Sequence, residues 1–257
     1  MRLNRKRMLA AAALCACAGA AWSQGNYPNK PIRMIDPFPA GGPVDVTGRP
    51  VLDKLRAALG QPVVIDFRPG GGSIIGSEAV ARAEPDGYTF LLTASQHAIN
   101  PSVYGKLPYD TVKAFLPVAV IAKGPFILAV HPSVPAKDVR ELIALAKSRP
   151  GKMNYGSASS GSGFHMAGEM FRLMAGVDIA HIPYKGGAPV TADLVAGHVD
   201  MAFSSVVAVL PHIRAGRLKG LAVTTTERSA LVPGFPRMAE AGLPGFEVDT
   251  WYGVFAP

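Results

Sequence analysis

Two stretches rich in glycine and small polar residues hold the groups best suited to gripping an anion. The first, Phe38-Pro39-Ala40-Gly41-Gly42-Pro43-Val44-Asp45, follows the strand-like run Ile32–Asp36. The second, Gly156-Ser157-Ala158-Ser159-Ser160-Gly161-Ser162-Gly163, follows Lys152-Met153-Asn154-Tyr155. Each leads into a segment of helical apolar periodicity. The first amides of a helix have no intrahelical acceptor, and the positive end of the helix dipole adds to them, so such a loop makes a pocket for an anionic group. Two of them far apart in the chain point to one ligand with a carboxylate at either end, gripped between two lobes. Neither loop carries an obvious catalytic group, so the residues read first as a binding protein.

Each feature also has a plainer reading. Pro39–Asp45 could be a tight strand-to-helix turn that needs glycine for backbone geometry alone. Asp45 is awkward as a contact to an anion; its carboxylate either caps the helix or holds a bridging water or a ligand ammonium. Ser157, Ser159, Ser160 and Ser162 either contact a ligand or cap a helix. His165 either donates to a carboxylate or packs beside Phe164. His97, His131, His181, His198 and His212 have no partner at metal-ligand spacing, so no metal site is expected. The glycines at 70, 71, 72 and 76 miss the dinucleotide spacing, since Ile75 stands at the third glycine position, and there is no Gly-Lys-Ser/Thr phosphate loop. No cofactor is expected. The serine cluster lacks a Gly-x-Ser-x-Gly elbow, and no acid/base carboxylate pair stands out, so an enzyme is not expected.

The two elements that must position these loops are strands and helices in alternation. Strands are predicted at Ile32–Asp36, Gln61–Asp66, Tyr88–Thr93, Phe126–Val130, Met153–Tyr155, Ala180–Pro183, His198–Phe203 and Leu218–Thr224. Helices are predicted over Val51–Leu59, Ile74–Ala83 with Ser73 as N-cap, a segment opened by Ser133/Pro135 with Val139, Leu142, Ile143 and Ala146 on one face and ended by Pro150-Gly151, and over Phe164–Ala175, Ala188–Ala196 and Val206–Ala215. Pro50 is expected to kink the first helix or to sit in its first turn. Alternation implies mostly parallel sheets with right-handed crossovers, and ligands bind beyond the carboxyl ends of such strands. Those ends carry Pro39–Asp45, Ala94–His97, Gly156–Gly163, Tyr184–Gly187 and Ser204-Ser205.

The 257-residue chain is long enough for one or two domains, and 49% hydrophobic with 17% charged residues describes a folded globule. Residues 1–23 read as a signal peptide: Arg2, Arg5, Lys6 and Arg7 precede the apolar run Met8–Ala21, and Ala21-Trp22-Ser23 is a small-residue exit. That run is too short for a comfortable membrane span, and no other segment holds 18 uninterrupted apolar residues. Both cysteines, Cys15 and Cys17, fall inside it, so the mature chain is expected to have no thiol chemistry. A lipid anchor at Cys17 is the minor alternative. The leader holds four of the basic residues behind the net charge of +8, which leaves +4 on the exported chain. The remainder form no basic stripe, so nucleic acid is not an expected partner.

A series of motifs in one order resembles the Bug (TctC) receptors, the periplasmic solute-binding proteins of tripartite tricarboxylate transporters. They are Phe38-Pro39-Ala40-Gly41-Gly42 with Asp45 and Arg49, Gly60-Gln61-Pro62-Val63-Val64, Gly71-Gly72, Gly76, Pro85-Asp86-Gly87-Tyr88 and Ile99-Asn100-Pro101. Glu141-Leu142, Pro150-Gly151-Lys152, Gly156-Ser157, Gly161–His165, Pro183-Tyr184-Lys185-Gly186 and Trp251-Tyr252-Gly253 continue it. The likeness runs from about Tyr27 to Pro257. It implies an α/β, two-lobed Venus-flytrap fold of the type II periplasmic-binding-protein class that closes on a small di- or tricarboxylate or related acid. Substrate contacts are implied at Ala40, Gly41, Gly42, Val44, Asp45, Ser157, Ser160, Gly161, Gly163 and His165, with Ser95 and Ser204 at the rim. The implied partners are the transporter's membrane subunits; a sensor partner without transport and, from another class, a secreted serine hydrolase are the alternatives. A monomer is expected.

On this reading residues 24–124 form the first segment of lobe one, 125–222 lobe two and 223–257 the return to lobe one, with hinge strands near Val118–Val130 and Leu218–Thr225. Departures from the family pattern are Phe67, where Asn is usual, and Pro50 in a helix usually free of proline. Family members continue past the Trp-Tyr-Gly segment with helices that complete the first lobe. An incomplete first lobe with exposed apolar surface, poor solubility and weak binding is therefore expected of a chain stopping at Pro257.

Overall fold

The structure, a computed structural model, describes residues 27–257. The expected signal peptide, its cleavage site, Cys15 and Cys17 lie outside the described residues. Strand β1 (Ile32–Asp36) leads into helix α1 (Pro43–Leu59), and β2 (Val63–Phe67) into a short 3-10 turn and α2 (Ile74–Ala81). Strand β3 (Thr89–Ala94) leads directly into α3 (Gln96–Val103). The 15-residue β4 (Leu116–Val130) precedes α4 (Val139–Ser148), β5 (Met153–Ser157), α5 (Gly163–Ala175) and β6 (Ile179–Pro183). Then come α6 (Gly187–Ala196), β7 (Met201–Ser205), α7 (Val206–Arg214), β8 (Lys219–Val223) and, after a long connection, β9 (Asp249–Ala256).

Strand β4 divides the molecule. Its first half, Leu116–Pro125, pairs with β9 beside β3, β1 and β2; its second half, Phe126–Val130, pairs with β7 and β8 beside β5 and β6. Two curled sheets therefore share one strand, and each carries helices over its faces, giving the two-lobed α/β architecture. Parallel pairing holds for β1 with β2 and β3, and for β5 with β6 and β7. The expectation of mostly parallel sheets needs correction, because β4 and β9 run antiparallel to every neighbour. Strand β9 is inserted between β3 and β4 from the second lobe, and β4 runs directly from the first sheet into the second, so neither set of antiparallel pairings is made by a βαβ crossover.

Apolar packing closes each sheet separately. Ile32, Met34, Leu52, Val63 and Leu92 bury one face of the first sheet, and Ile35, Val80, Leu91 and Phe115 the other. The second sheet is covered by Leu142, Phe171, Phe203 and their neighbours on one side and by Val190, Leu194 and Val209 on the other. Residues Val232, Met238, Leu243 and Phe246, expected in the return to lobe one, pack on this second core. The strand that re-enters the first sheet is β9. On the first sheet the start of β4, Leu116–Val120, is exposed throughout, with Leu116, Val118 and Val120 at 66%, 56% and 58%.

Several local expectations shift. Helix α1 begins at Pro43, not Val51, and runs through Pro50, which stands well inside it. Pro43, at the first turn, costs no hydrogen bond and presets the helical φ. Gly60 ends the helix in the left-handed region, with its amide on the Arg56 carbonyl at 3.0 Å. Ser73 does precede α2, but in a left-handed conformation with no capping bond; its hydroxyl accepts from Asn100 instead. Helix α4 starts at Val139 rather than at Ser133/Pro135, because Asp138 caps it: its carboxylate accepts from the Glu141 amide at 2.8 Å, and the Glu141 carboxylate accepts from the Lys137 amide.

Candidate functional site

Both anion loops are carried to one cleft between the lobes. From the first lobe come Phe38, Pro43 and Val44 ahead of α1, Ala94, Ser95 and Gln96 at the start of α3, and Thr250 and Tyr252 on β9. The second lobe contributes Ala158, Ser162, Gly163 and Phe164 at the start of α5, and Gly187 at the start of α6; Phe126 lies at the crossover between the lobes. The cleft encloses about 420 Å³ counted to its open mouth. Four helix N-termini therefore face the same space, each with its positive dipole end inward.

Backbone accounting decides which amides are free. The Gly41 amide donates to the Asp45 carboxylate at 2.7 Å, the Gly42 amide to the Pro39 carbonyl at 3.2 Å, and Val46 to Gly42. Pro43 has no N–H. What remains at α1 are the amides of Val44 and Asp45, which have no protein acceptor among the described residues. At α5 the Gly161 amide is held by His165 Nδ1 at 3.1 Å, Ser162 by the Ser159 carbonyl, and His165 by the Ser162 hydroxyl. Gly163 and Phe164 are left. Each lobe thus presents a pair of unspent donors; at α1 the pair lies beyond Gly41 and Gly42, whereas at α5 it includes Gly163, which the sequence singled out.

The sequence-derived residues divide accordingly. Val44, Ser95 and Gly163 line the cleft. Gly41 and Gly42 shape the loop but spend their amides inside it, and exposed Ala40 does not line the cleft. Asp45 is 1% exposed and makes a two-pronged ion pair with Arg49, at 2.7 Å through Nε and 3.0 Å through Nη2. It braces the loop from the third helical position, which is the capping alternative. Ser160 is exposed, and only its carbonyl is engaged, by Tyr104. Ser204 is fully buried on β7, away from the cleft lining.

His165 and His181 stack with centroids 4.1 Å apart, and burial lowers the pKa of both, His181 to about 4 with the neighbouring His165 contributing. Because Gly161 donates to His165 Nδ1, the proton of that ring sits on Nε2. Ser157 Oγ lies 2.6 Å from His181 Nε2, a spacing that suggests a nucleophile and its base. The polarity is the reverse. Ser157 is fully buried and gives its proton to the Ser159 carbonyl at 3.0 Å, so the imidazole donates to the hydroxyl rather than receiving from it.

Sequence reasoning missed the polar and aromatic lining: Gln96, Thr250, Tyr252, Phe126 and Phe164. Thr250 and Tyr252 sit on β9, and the Ser95 and Thr250 hydroxyls meet at 3.1 Å. Phe126 and Phe164 stack edge to face at 5.1 Å. The Trp251-Tyr252-Gly253 motif was a signal for β9 but carries no clue that the strand enters the cleft. Among the described residues no charged side chain lines the cleft. An anion there is met by dipoles alone.

Comparison with known proteins places this geometry. The sequence profile of the TctC family, described as the tripartite tricarboxylate transporter family receptor, matches residues 47–257. A UPF0065 protein from the tcbD-tcbE intergenic region of Pseudomonas sp. strain P51 is 40% identical over 258 residues, covering 99% of this chain and 77% of that protein. Protein BugT of Bordetella pertussis is 39% identical over 260 residues, covering 99% and 80%. Among solved structures, R. palustris Rpa4515 with adipate superposes with a TM-score of 0.88 at 39% identity, over 90% of this chain and 78% of that one. MatC from Rhodopseudomonas palustris with bound malate gives 0.85 at 32% identity, over 90% and 79%.

Proposed function

The chain belongs to the tripartite tricarboxylate transporter receptor family, and on that premise we propose that it captures a small organic diacid between its lobes and hands it to the transporter's membrane subunits. The family's receptors are periplasmic solute-binding proteins. No helix among the described residues is long and apolar enough to cross a membrane. Export through residues 1–23, a monomeric state and the absence of catalysis are parts of the same reading.

The observation that carries it is the pairing of free donors, the amides of Val44 and Asp45 at the start of α1 and of Gly163 and Phe164 at the start of α5, with Val44, Gly163 and Phe164 lining one cleft. Two pairs suit two carboxylates, one per lobe, and a ligand that needs both lobes stabilises the closed arrangement. Between the pairs the walls are Phe38, Phe126, Phe164 and Tyr252. That apolar middle favours a hydrocarbon spine, and the lack of any lining cation disfavours a third carboxylate. The adipate and malate found in structural neighbours support the ligand class. The backwards Ser157–His181 pair speaks against the hydrolase alternative.

Calorimetry and thermal shift on the chain with linear diacids, malate, citrate and a monoacid test this. A linear diacid is expected to bind with the highest affinity, at one site, raising the melting point without being consumed. If no acid of the panel binds, the receptor reading fails; if citrate binds best, the diacid assignment fails.

A further inference from the structure

We infer that helix α3 clamps the two lobes together through Ser159 and Tyr104, which do not line the ligand cleft, so that these two residues set the affinity for every ligand alike. Helix α3 belongs to the first lobe, and both of its ends grip one loop of the second. At the N-terminal end the Gln96 amide nitrogen, on a residue 3% exposed, divides between two carbonyl and hydroxyl acceptors. One is the Gly72 carbonyl of its own lobe at 2.9 Å; the other is the Ser159 hydroxyl across the gap at 2.7 Å. Just past the C-terminal end, the Tyr104 hydroxyl donates to the Ser160 carbonyl at 3.4 Å. Val103 fills the space beside Gly161, where an added Cβ would stand 3.0 Å from a valine methyl.

The clamped loop is the one that leads into the ligand donors. Ser159–Gly161 runs straight into Ser162, which caps α5, and then into the free amides of Gly163 and Phe164. On the other side, Asn100 holds the Gly72 carbonyl at 3.0 Å and the Ser73 hydroxyl at 3.1 Å, so the turn that anchors Gln96 is itself fixed. Closing the lobes, making the clamp and bringing up the second anion end are one movement. Contacts present only in the closed arrangement raise the closure equilibrium, and a ligand that requires closure gains by that factor whatever its own chemistry.

Ser159→Ala is the clean variant. The hydroxyl bonds only Gln96 Nε2, while the Ser159 backbone keeps its bonds to Ser157 and Ser162, and Gln96 keeps Gly72. Neither Ser159 nor Tyr104 lines the ligand cleft. On the whole chain, Ser159→Ala, Tyr104→Phe and the double variant would be titrated with adipate and with malate, and their radii of gyration measured by X-ray scattering. Each single variant is expected to weaken both acids by one common factor of about two to ten, and the double variant to show the larger radius. Unchanged affinities overturn the clamp, and so does a loss confined to one acid, which would make Ser159 a ligand contact. This inference rests on the receptor reading for its affinities only. If the unsubstituted chain binds neither acid, that reading fails, and the clamp is still decided by scattering: an unchanged radius in the double variant overturns it.

Discussion

Asp36 ends β1 with one carboxylate oxygen on the Phe38 amide at 2.9 Å and the other without a protein partner, at 0% exposure. Burial, with the charge of Asp45 adding to it, outweighs the Phe38 bond and raises its pKa from 3.8 to about 8. Between those values the unfolded chain ionises this carboxyl and the folded one does not. Stability is therefore full below about pH 4 and falls as pH rises through about 8. Asp36→Asn keeps an acceptor for Phe38 and removes the ionisation. It is expected to melt several degrees higher than the parent at pH 7.5, with the gap vanishing at pH 4; equal melting points at both pH values would refute the assignment. The same loop shows why the role of Asp45 stayed open on paper. A carboxylate beside an anion site is legible as a puzzle, but only the position of Arg49 and the Gly41 amide shows that its charge is already spent.

At the scale of elements, α1 is the clearest test of local rules. Its start was displaced in the sequence reading because Pro50 looked like a boundary, whereas the glycine-rich loop ends at Pro43 and the helix carries on through both prolines. Interior proline removes one helical hydrogen bond and crowds the carbonyl four residues back, here that of Val46. Pro50 is exposed, so Pro50→Ala is expected to stabilise the chain by about 1–3 kcal/mol, read as a higher denaturant midpoint at unchanged slope. A lower midpoint would mean that the ring serves a packing role. Helix α3 went unread for a different reason. Its buried residues are Gln96, His97 and Asn100, so it has no apolar stripe to betray it, although Gln96 and Asn100 are what hold the turn at Gly72.

At the scale of the molecule, the two lobes meet where β4 changes sheets, and Thr224 fastens that crossing. Its hydroxyl accepts from the Phe126 amide at 2.9 Å and donates to the Val248 carbonyl at 2.5 Å, fully buried. Thr224→Val is nearly isosteric and leaves the Phe126 amide without a partner, which costs about 1–3 kcal/mol. Calorimetry is expected to show a lower melting point and weaker acid binding together; lowered stability with unchanged affinity would separate the crossing from closure. The amino-acid sequence alone determined the alternation of strands and helices, the two anion loops and the family likeness, because periodicity, capping and glycine punctuation are local properties. Which rings wall the cleft and which groups join the lobes was decided only by the tertiary structure. Those outcomes depend on pairings between residues 56 to 155 positions apart, and no local pattern encodes a partner at that distance.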